Sequence, residues 1–232
     1  LTFRPPTTNI KAPHFVMYVK QLLVEKYGQR LVEQGGLRVT TTLDLEVQEF
    51  AQDTIATEVA ELADLLVSNG AALVTKPATG EIIAMVGSKD YFASESGNFN
   101  VTIANRQPGS SIKPINYAIG IDTKKVTPAT VFIDAATCFN VAGQAPYCPV
   151  NYDGQFHGPT ALRFALGNSL NIPAVKMLRL NGVETMVASA AAFGINSFQD
   201  PSRYGLSLTL GGGEVKMTEM ATAFGVFANS GI

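Results

Sequence analysis

The sequence predicts an α/β chain of the α+β kind, with a short antiparallel sheet flanked by helices. Three observations predict it. Two apolar runs, residues 71–76 and 81–88, flank Pro77-Ala78-Thr79-Gly80, whose proline and glycine suit a tight reversal, so the pair reads as a β-hairpin. Both runs are nearly apolar on both faces, which places them between layers of helix. Most of the remaining chain repeats its apolar residues at helical spacing.

In chain order, residues 1–12 carry Pro5, Pro6 and no apolar period, and read as an extended linker. Residues 13–34 repeat Phe15, Val16, Val19, Leu22, Leu23 and Tyr27 at helical spacing until Gly35-Gly36 stops the pattern. Residues 37–42 are short and β-branched and predict a strand. Asp44 is placed to cap a long helix, because its carboxylate can accept the orphan N–H groups of a first turn. Phe50, Ile55, Val59, Leu62 and Leu66 would share one face of that helix, which ends at Asn69-Gly70. After the hairpin, residues 90–100 read as an exposed loop. Helices are predicted over 110–121, 159–179, 183–193 and 216–229, with a long irregular connection over 126–158. Residues 1–44 are therefore expected to be an inter-domain lead-in and 45–232 the domain itself.

Composition excludes several classes of function. The 232 residues carry a net charge of −2, only 16% are charged, and residues 126–162 contain no Lys or Arg, so there is no electrostatic footprint for nucleic acid. The longest apolar runs fall far short of the ~20 residues that cross a bilayer. Leu1 opens neither a signal peptide nor an initiator Met, so the chain reads as part of something longer. Cys138 and Cys148 are spaced too widely for a CxxC site and have only His14 and His157 as company, so no metal or cofactor site is expected. The two cysteines could close as a disulfide in an exported protein and would stay reduced in a cytosolic one.

The chemistry concentrates in Arg106-Gln107-Pro108-Gly109-Ser110-Ser111-Ile112-Lys113-Pro114. Pro-Gly breaks the preceding segment, and a helix starting at Ser110 would set Ser110 and Lys113 side by side, with Pro114 where a missing N–H is tolerated. A serine hydroxyl needs a neighbour to take its proton, and a lysine whose ammonium is disfavoured by burial and by a helix N-terminus can be that base. The same terminus offers a backbone N–H to an oxyanion. S-x-x-K is weak by itself, since an N-cap serine and a solvated lysine give the same letters. Here it occurs once, at a helix start, after a chain break.

A second element is Gly167-Asn168-Ser169-Leu170-Asn171-Ile172-Pro173, where Ser169 and Asn171 put a hydroxyl and a carboxamide on one short turn, for proton relay and for gripping a substrate amide. Ser96-Gly97-Asn98 shows how readily such a triplet arises. His157, in Gln155-Phe156-His157-Gly158, reads as a surface histidine that could line a cleft mouth, and Tyr152 and Asp153 as residues that fix the long connection. Gly211-Gly212-Gly213 lacks the Lys-Ser/Thr of a phosphate loop and reads as a tight turn.

Together these segments resemble class A penicillin-binding proteins, the bifunctional enzymes that build peptidoglycan. Arg106–Pro114 is similar to their active-serine segment, and Ser169-Leu170-Asn171 follows in the order of their second motif. Phe3-Arg4-Pro5, Ala12-Pro13-His14-Phe15-Val16, Gly36-Leu37-Arg38-Val39-Thr40-Thr41-Thr42-Leu43-Asp44, Asn151-Tyr152-Asp153 and Leu210-Gly211-Gly212-Gly213-Glu214-Val215 resemble the same transpeptidase region and its lead-in.

The resemblance implies a β-lactam-sensitive D,D-transpeptidase without cofactor or metal, with Ser110 as nucleophile, Lys113 as acylation base, Ser169 as relay and Asn171 as substrate-amide ligand. It implies peptidoglycan stem peptides and β-lactam antibiotics as ligands, and a place on the outer face of the bacterial cytoplasmic membrane. It also implies a glycosyltransferase domain and membrane anchor upstream. The implied fold has a five-stranded antiparallel sheet, of which only the hairpin is legible here. The family's third motif, K-[TS]-G, is absent, since no Lys in the chain precedes Thr-Gly or Ser-Gly. A C-terminal remainder is therefore expected to supply the missing strands and to cover the open edge of the hairpin. A D,D-carboxypeptidase or β-lactamase-type hydrolase and a non-catalytic penicillin-binding sensor are the alternative readings.

Overall fold

The hairpin forms as the turn residues dictate: β1 (Ala72–Lys76) pairs antiparallel with β2 (Glu81–Val86) across residues 77–80 in a computed structural model that describes residues 10–140 and 145–232. Phe3-Arg4-Pro5 and most of the 1–12 segment lie outside the described residues. Packing divides the chain into two units, one taking in the chain up to Ala104 together with Phe224–Ile232, the other Asn105–Ala223.

In the first unit helices cover the hairpin on both faces, with Ala84, Met85 and Val86 of β2 buried and β1 half-buried. Leu73 and Met85 meet Phe15 of α1 (Pro13–Tyr27), while Ala72, Val74, Ala84 and Val86 meet Val47, Ala51 and Ile55 of α3 (Leu45–Glu61). The register shifts after Val74, leaving Ile83 as an extra residue on β2, and Ile82 packs on the Met85 side. Asp44 caps α3 as expected, its carboxylate accepting from Glu46 N at 3.0 Å and Val47 N at 3.2 Å.

The edge of β2 is closed from within the chain. Asp44 N donates to Ile83 O at 2.9 Å, Val101 N donates to Gly87 O at 3.1 Å, and the Gln48 carboxamide pairs with Met85 N at 2.7 Å and Met85 O at 3.2 Å, as a neighbouring strand would. The expectation of an open edge is corrected for this strand. A buried polar residue at a helix position reads as an anomaly in the sequence, and only its docking partner explains it.

Other expectations are corrected too. The 13–34 helix is two, α1 and α2 (Gln29–Gln34), parted at Gly28. Residues 37–42 form no strand; Thr42 reaches the hairpin through one side-chain bond, Oγ1 to Ile82 O at 2.7 Å. The α3 helix stops at Glu61, short of Asn69-Gly70, and Phe50 and Leu66 are 72% and 91% exposed, so the proposed apolar face breaks up. The 90–100 loop is anchored where Gly97 O accepts from Ser88 Oγ at 2.6 Å beside His14, a buried histidine whose basicity is lowered by burial.

The second unit is built around two buried helices, α4 (Lys113–Asp122) and α6 (Asn171–Asn181). Ile112, Ile115, Ile119 and Leu178 pack with Met186, Val187 and Ala190 of α7 (Val183–Ala192), with Leu208 and Val215, and with Ala223 of α8 (Met217–Ala228). Tyr117, Val126, Phe132, Leu162, Ala174 and Met177 form a second cluster. A buried amide set ties α4 to α6: Asn181 Nδ2 donates to Asn116 O and Oδ1 at 2.8 Å, and Asn116 Nδ2 donates to Thr209 Oγ1 at 2.8 Å.

Two features of this unit depart from the sequence reading. Within the supposed irregular connection, β3 (Val131–Asp134) pairs antiparallel with β4 (Gly158–Ala161). The predicted 159–179 helix is therefore strand β4, then α5 (Leu162–Gly167), then a break at Asn168-Ser169-Leu170, then α6. Ser169 sits in the left-handed region at φ 53, a conformation no continuous helix allows.

Candidate active site

The Ser110 turn is set by backbone fit. Gly109 (φ 58) and Gly211 (φ 89) lie against each other, so that a Cβ on Gly211 would come within 2.2 Å of Gly109 N and 2.7 Å of its carbonyl oxygen. Only glycine fits there. Arg106 and Val215 exchange both backbone hydrogen bonds at 2.9 Å, so the start of the Arg106–Pro114 segment and the end of the glycine run clamp each other. Gly211→Ala is accordingly expected to displace Ser110 and slow its acylation tenfold or more, in the direction of the ~10²-fold loss typical of misplaced reacting groups. Stopped-flow labelling checks this, with the melting midpoint read alongside.

Gly109–Ile112 form a 3₁₀ turn and α4 begins at Lys113, so the helix starts one turn later than expected. Lys113 N–H donates to Ser110 O across that turn. Ser110 is exposed and Lys113 is buried, at 1% exposure. The Ser111 hydroxyl is committed to Pro108 O at 2.6 Å.

The Lys113 ammonium donates to Ser169 O at 2.5 Å, Ser169 Oγ at 3.1 Å and Asn171 Oδ1 at 2.7 Å. Three N–H groups thus meet three oxygens, and the left-handed turn at Ser169 is what aims its carbonyl and hydroxyl together. Burial lowers Lys113 to about 8. The free amine is thereby nearer to hand at neutral pH than in a solvated lysine. Among the described residues no side-chain hydrogen bond joins Lys113 Nζ to the Ser110 hydroxyl, so a proton could pass between them only if the Lys113 amine turned from Ser169 toward the serine.

Ser110, Ser169 and Asn171 line one cleft of about 410 Å³, together with Asn151, Tyr152, Asp153, Asn168 and Leu170. All four residues singled out from the sequence are thereby gathered, three on the wall and Lys113 beneath it. Sequence reasoning missed Asp134. Its carboxylate is fully buried and accepts from Asn151 Nδ2 at 3.0 and 2.8 Å, from His157 N at 2.9 Å and from His157 Nδ1 at 2.8 Å. Nearby, the buried Tyr117 hydroxyl has no partner among the described residues, and burial and Asp134 together raise its pKa. The Asn151-Tyr152-Asp153 segment and His157 were the only local hints.

His157 is not a lone surface residue. It bridges Asp134 and, through Nε2 at 3.2 Å, Asp153 on the cleft wall. The hydrogen bond to Asp134, with the charges of both carboxylates, raises its pKa above 6.5. A pKa raised by folding contributes stability that is complete below the unfolded value and is lost as pH rises through the folded one. Above that pH the Nε2 proton is gone and Nε2 faces Asp153 as acceptor to acceptor. Thermal melts are expected to show a stabilising increment below ~6.5 that fades upward, and His157→Gln should flatten this dependence without lowering stability at high pH.

The cysteines close as a Cys138–Cys148 disulfide in the same unit. No helix among the described residues is long and apolar enough to cross a membrane.

Comparison with known proteins bears on this geometry. The family profile described as the penicillin binding protein transpeptidase domain matches residues 70–232. Penicillin-binding protein 2D of Bacillus subtilis is 34% identical over all of this chain, which covers 33% of that protein. The chain thus spans about a third of that relative's length. The crystal structure of penicillin-binding protein 1A from Haemophilus influenzae superposes with a TM-score of 0.80 at 21% identity, covering 97% of this chain and 47% of that one. The PonA1 protein from Mycobacterium tuberculosis in complex with penicillin V superposes at 0.73 and 21% identity, covering 95% and 59%. These two likenesses establish the fold.

Proposed function

The chain belongs to the transpeptidase domain family of penicillin-binding proteins, and from that premise we propose that it carries a serine D,D-transpeptidase site that cross-links peptidoglycan stem peptides. Ser110 Oγ attacks the carbonyl between the two terminal D-Ala residues of a donor stem while its proton passes to the Lys113 amine. The C–N bond breaks, Ser169 relays a proton to the departing D-Ala amine, and an acyl ester on Ser110 remains. The amine of a neighbouring stem then attacks the ester, restoring the serine and forming the cross-link. Asn171 offers its carboxamide to the donor's amide, and the backbone N–H at Ser110 offers a donor to the developing oxyanion. A β-lactam takes the donor's place and leaves the acyl ester standing.

One observation supports this above the others: a buried lysine bonds both polar groups of a motif 56 and 58 residues away, in a cleft that also holds the serine three residues before it. The disulfide fits an oxidising compartment, and so the outer face of the cytoplasmic membrane. Residues 1–44 are read as the lead-in from an upstream glycosyltransferase domain with its membrane anchor, and 45–232 as the N-terminal portion of the transpeptidase domain, completed by a C-terminal remainder.

The test is intact-mass analysis after penicillin exposure with peptide mapping, followed over time. A persistent adduct on the peptide containing Ser110 is the expected result. Rapid hydrolysis of that adduct favours the carboxypeptidase or β-lactamase reading, and no adduct favours a non-catalytic domain.

A further inference from the structure

The buried carboxylate of Asp134 begins an alternating chain of donors and acceptors that ends on Lys113. Asn151 turns its NH₂ to Asp134 and to Gln155 O, at 2.8 Å to the latter, which leaves its Oδ1 to accept from Asn171 N at 2.7 Å. Asn171 turns its own NH₂ to Val150 O at 2.7 Å, which leaves its Oδ1 for the Lys113 ammonium at 2.7 Å. Reversing either carboxamide would set donor against donor, an NH₂ against the Asn171 N–H in one case and against the ammonium in the other. The Asp134 carboxylate sets the sense of the Asn151 carboxamide, while Val150 O and the ammonium set that of Asn171.

We propose that Asp134 is a positioning residue of the acyl-transfer site, which acts through Asn151 to hold the Asn171 backbone N–H and with it the start of α6, from which Asn171 presents Oδ1 to Lys113. The role rests on the transpeptidase reading above and extends it to residues with no direct part in the chemistry. Asp134 closes β3, Asn151 lies in the connection and Asn171 opens α6, so the β3–β4 pair serves as the frame that carries the carboxylate to the helix start. Its burial matches that task. A carboxylate taken out of water is retained only where donors surround it, and here the donors belong to the two residues that lead to the site and its lip.

The experiment is the rate of acylation by a fluorescent penicillin as a function of pH, on the full polypeptide, for wild type, Asp134→Asn and the exchange Asp134→Asn with Asn151→Asp. Asp134→Asn frees the Asn151 carboxamide to reverse and set its NH₂ against the Asn171 N–H, and acylation is expected to fall about 10–100-fold, the usual loss when the support of an active-site ligand goes. An Asn171 Oδ1 drawn away from Lys113 disfavours the ammonium, so the acid limb of the pH profile should also move to lower pH, a change that a loss of stability elsewhere in the fold does not produce. The exchange variant restores an acceptor opposite Asn171 N, at the cost of a carboxylate oxygen facing Gln155 O, and should recover part of the rate. If Asp134→Asn fails to melt cooperatively, Asn151→Ala, which removes the link and keeps both ends, carries the same two expectations. Wild-type rate and pH midpoint in the single variants, or an exchange variant as slow as Asp134→Asn, overturns the role. A wild-type protein without adduct at Ser110 overturns the transpeptidase reading and this role with it, whereas a labelled wild type with unaffected variants overturns this role alone.

Discussion

Ser110→Ala is expected to abolish the covalent β-lactam adduct, and Ser111→Ala to leave it in place. The two serines are neighbours with the same side chain, and their surroundings separate them. Ser111 donates to Pro108 O and helps close the 3₁₀ turn, whereas Ser110 is exposed on the wall of the cleft that Ser169 and Asn171 share. Removing Ser110 Oγ takes away the only atom that can form the ester, so the loss is complete rather than graded. Intact mass with peptide mapping reads the result. Adduct on Ser111 or Ser169, or an adduct that survives in Ser110→Ala, refutes the assignment.

Lys113→Ala is expected to slow acylation by about 10²–10⁴-fold, the contribution of a positioned general base. The oxygens it leaves behind, Ser169 O, Ser169 Oγ and Asn171 Oδ1, belong to residues that line the open cleft, so water can replace the ammonium and the fold should persist. Lys113→Arg keeps a cation but cannot give up its proton near neutral pH, and should be nearly as slow as alanine. In wild type the amine is lowered to about 8 by burial. Its base form grows as pH rises through that value, so the acylation rate should climb through pH 8 and level off above it. Rates measured across that range, with a melting curve for each variant, decide the point. Near-wild-type acylation without Lys113 removes it from the role of base.

Much of this site was legible because its signals are local. Pro108-Gly109 before a serine, the three-residue spacing to Lys113, the Asp44 cap and the hairpin turn over residues 77–80 each depend on a few neighbouring residues, and the structure realises all of them. The apolar runs on both sides of the hairpin likewise required helices on both faces, and α1 and α3 are there. Ser169 and Asn171 were legible as a pair of polar groups on a turn. Their partner was not, because nothing in residues 167–173 points to a lysine more than fifty positions earlier.

The sequence by itself determined the residue types, the chain break that exposes Ser110, and the buried character of the hairpin. The tertiary structure alone decided the rest. The strand β4 contains Gly158 and Pro159, poor strand formers that pair only because Val131–Asp134 lies alongside. The helical period of residues 159–179 continues across a break, since apolar residues on either side keep their faces while Ser169 turns left-handed to meet Lys113. Gln48 and Asp134 look like polar intrusions in a segment and become structural once the distant backbone and amide groups they satisfy are in place. Local propensity and periodicity act over a few residues, whereas buried polar groups are placed by partners that only the folded chain brings within about 3 Å.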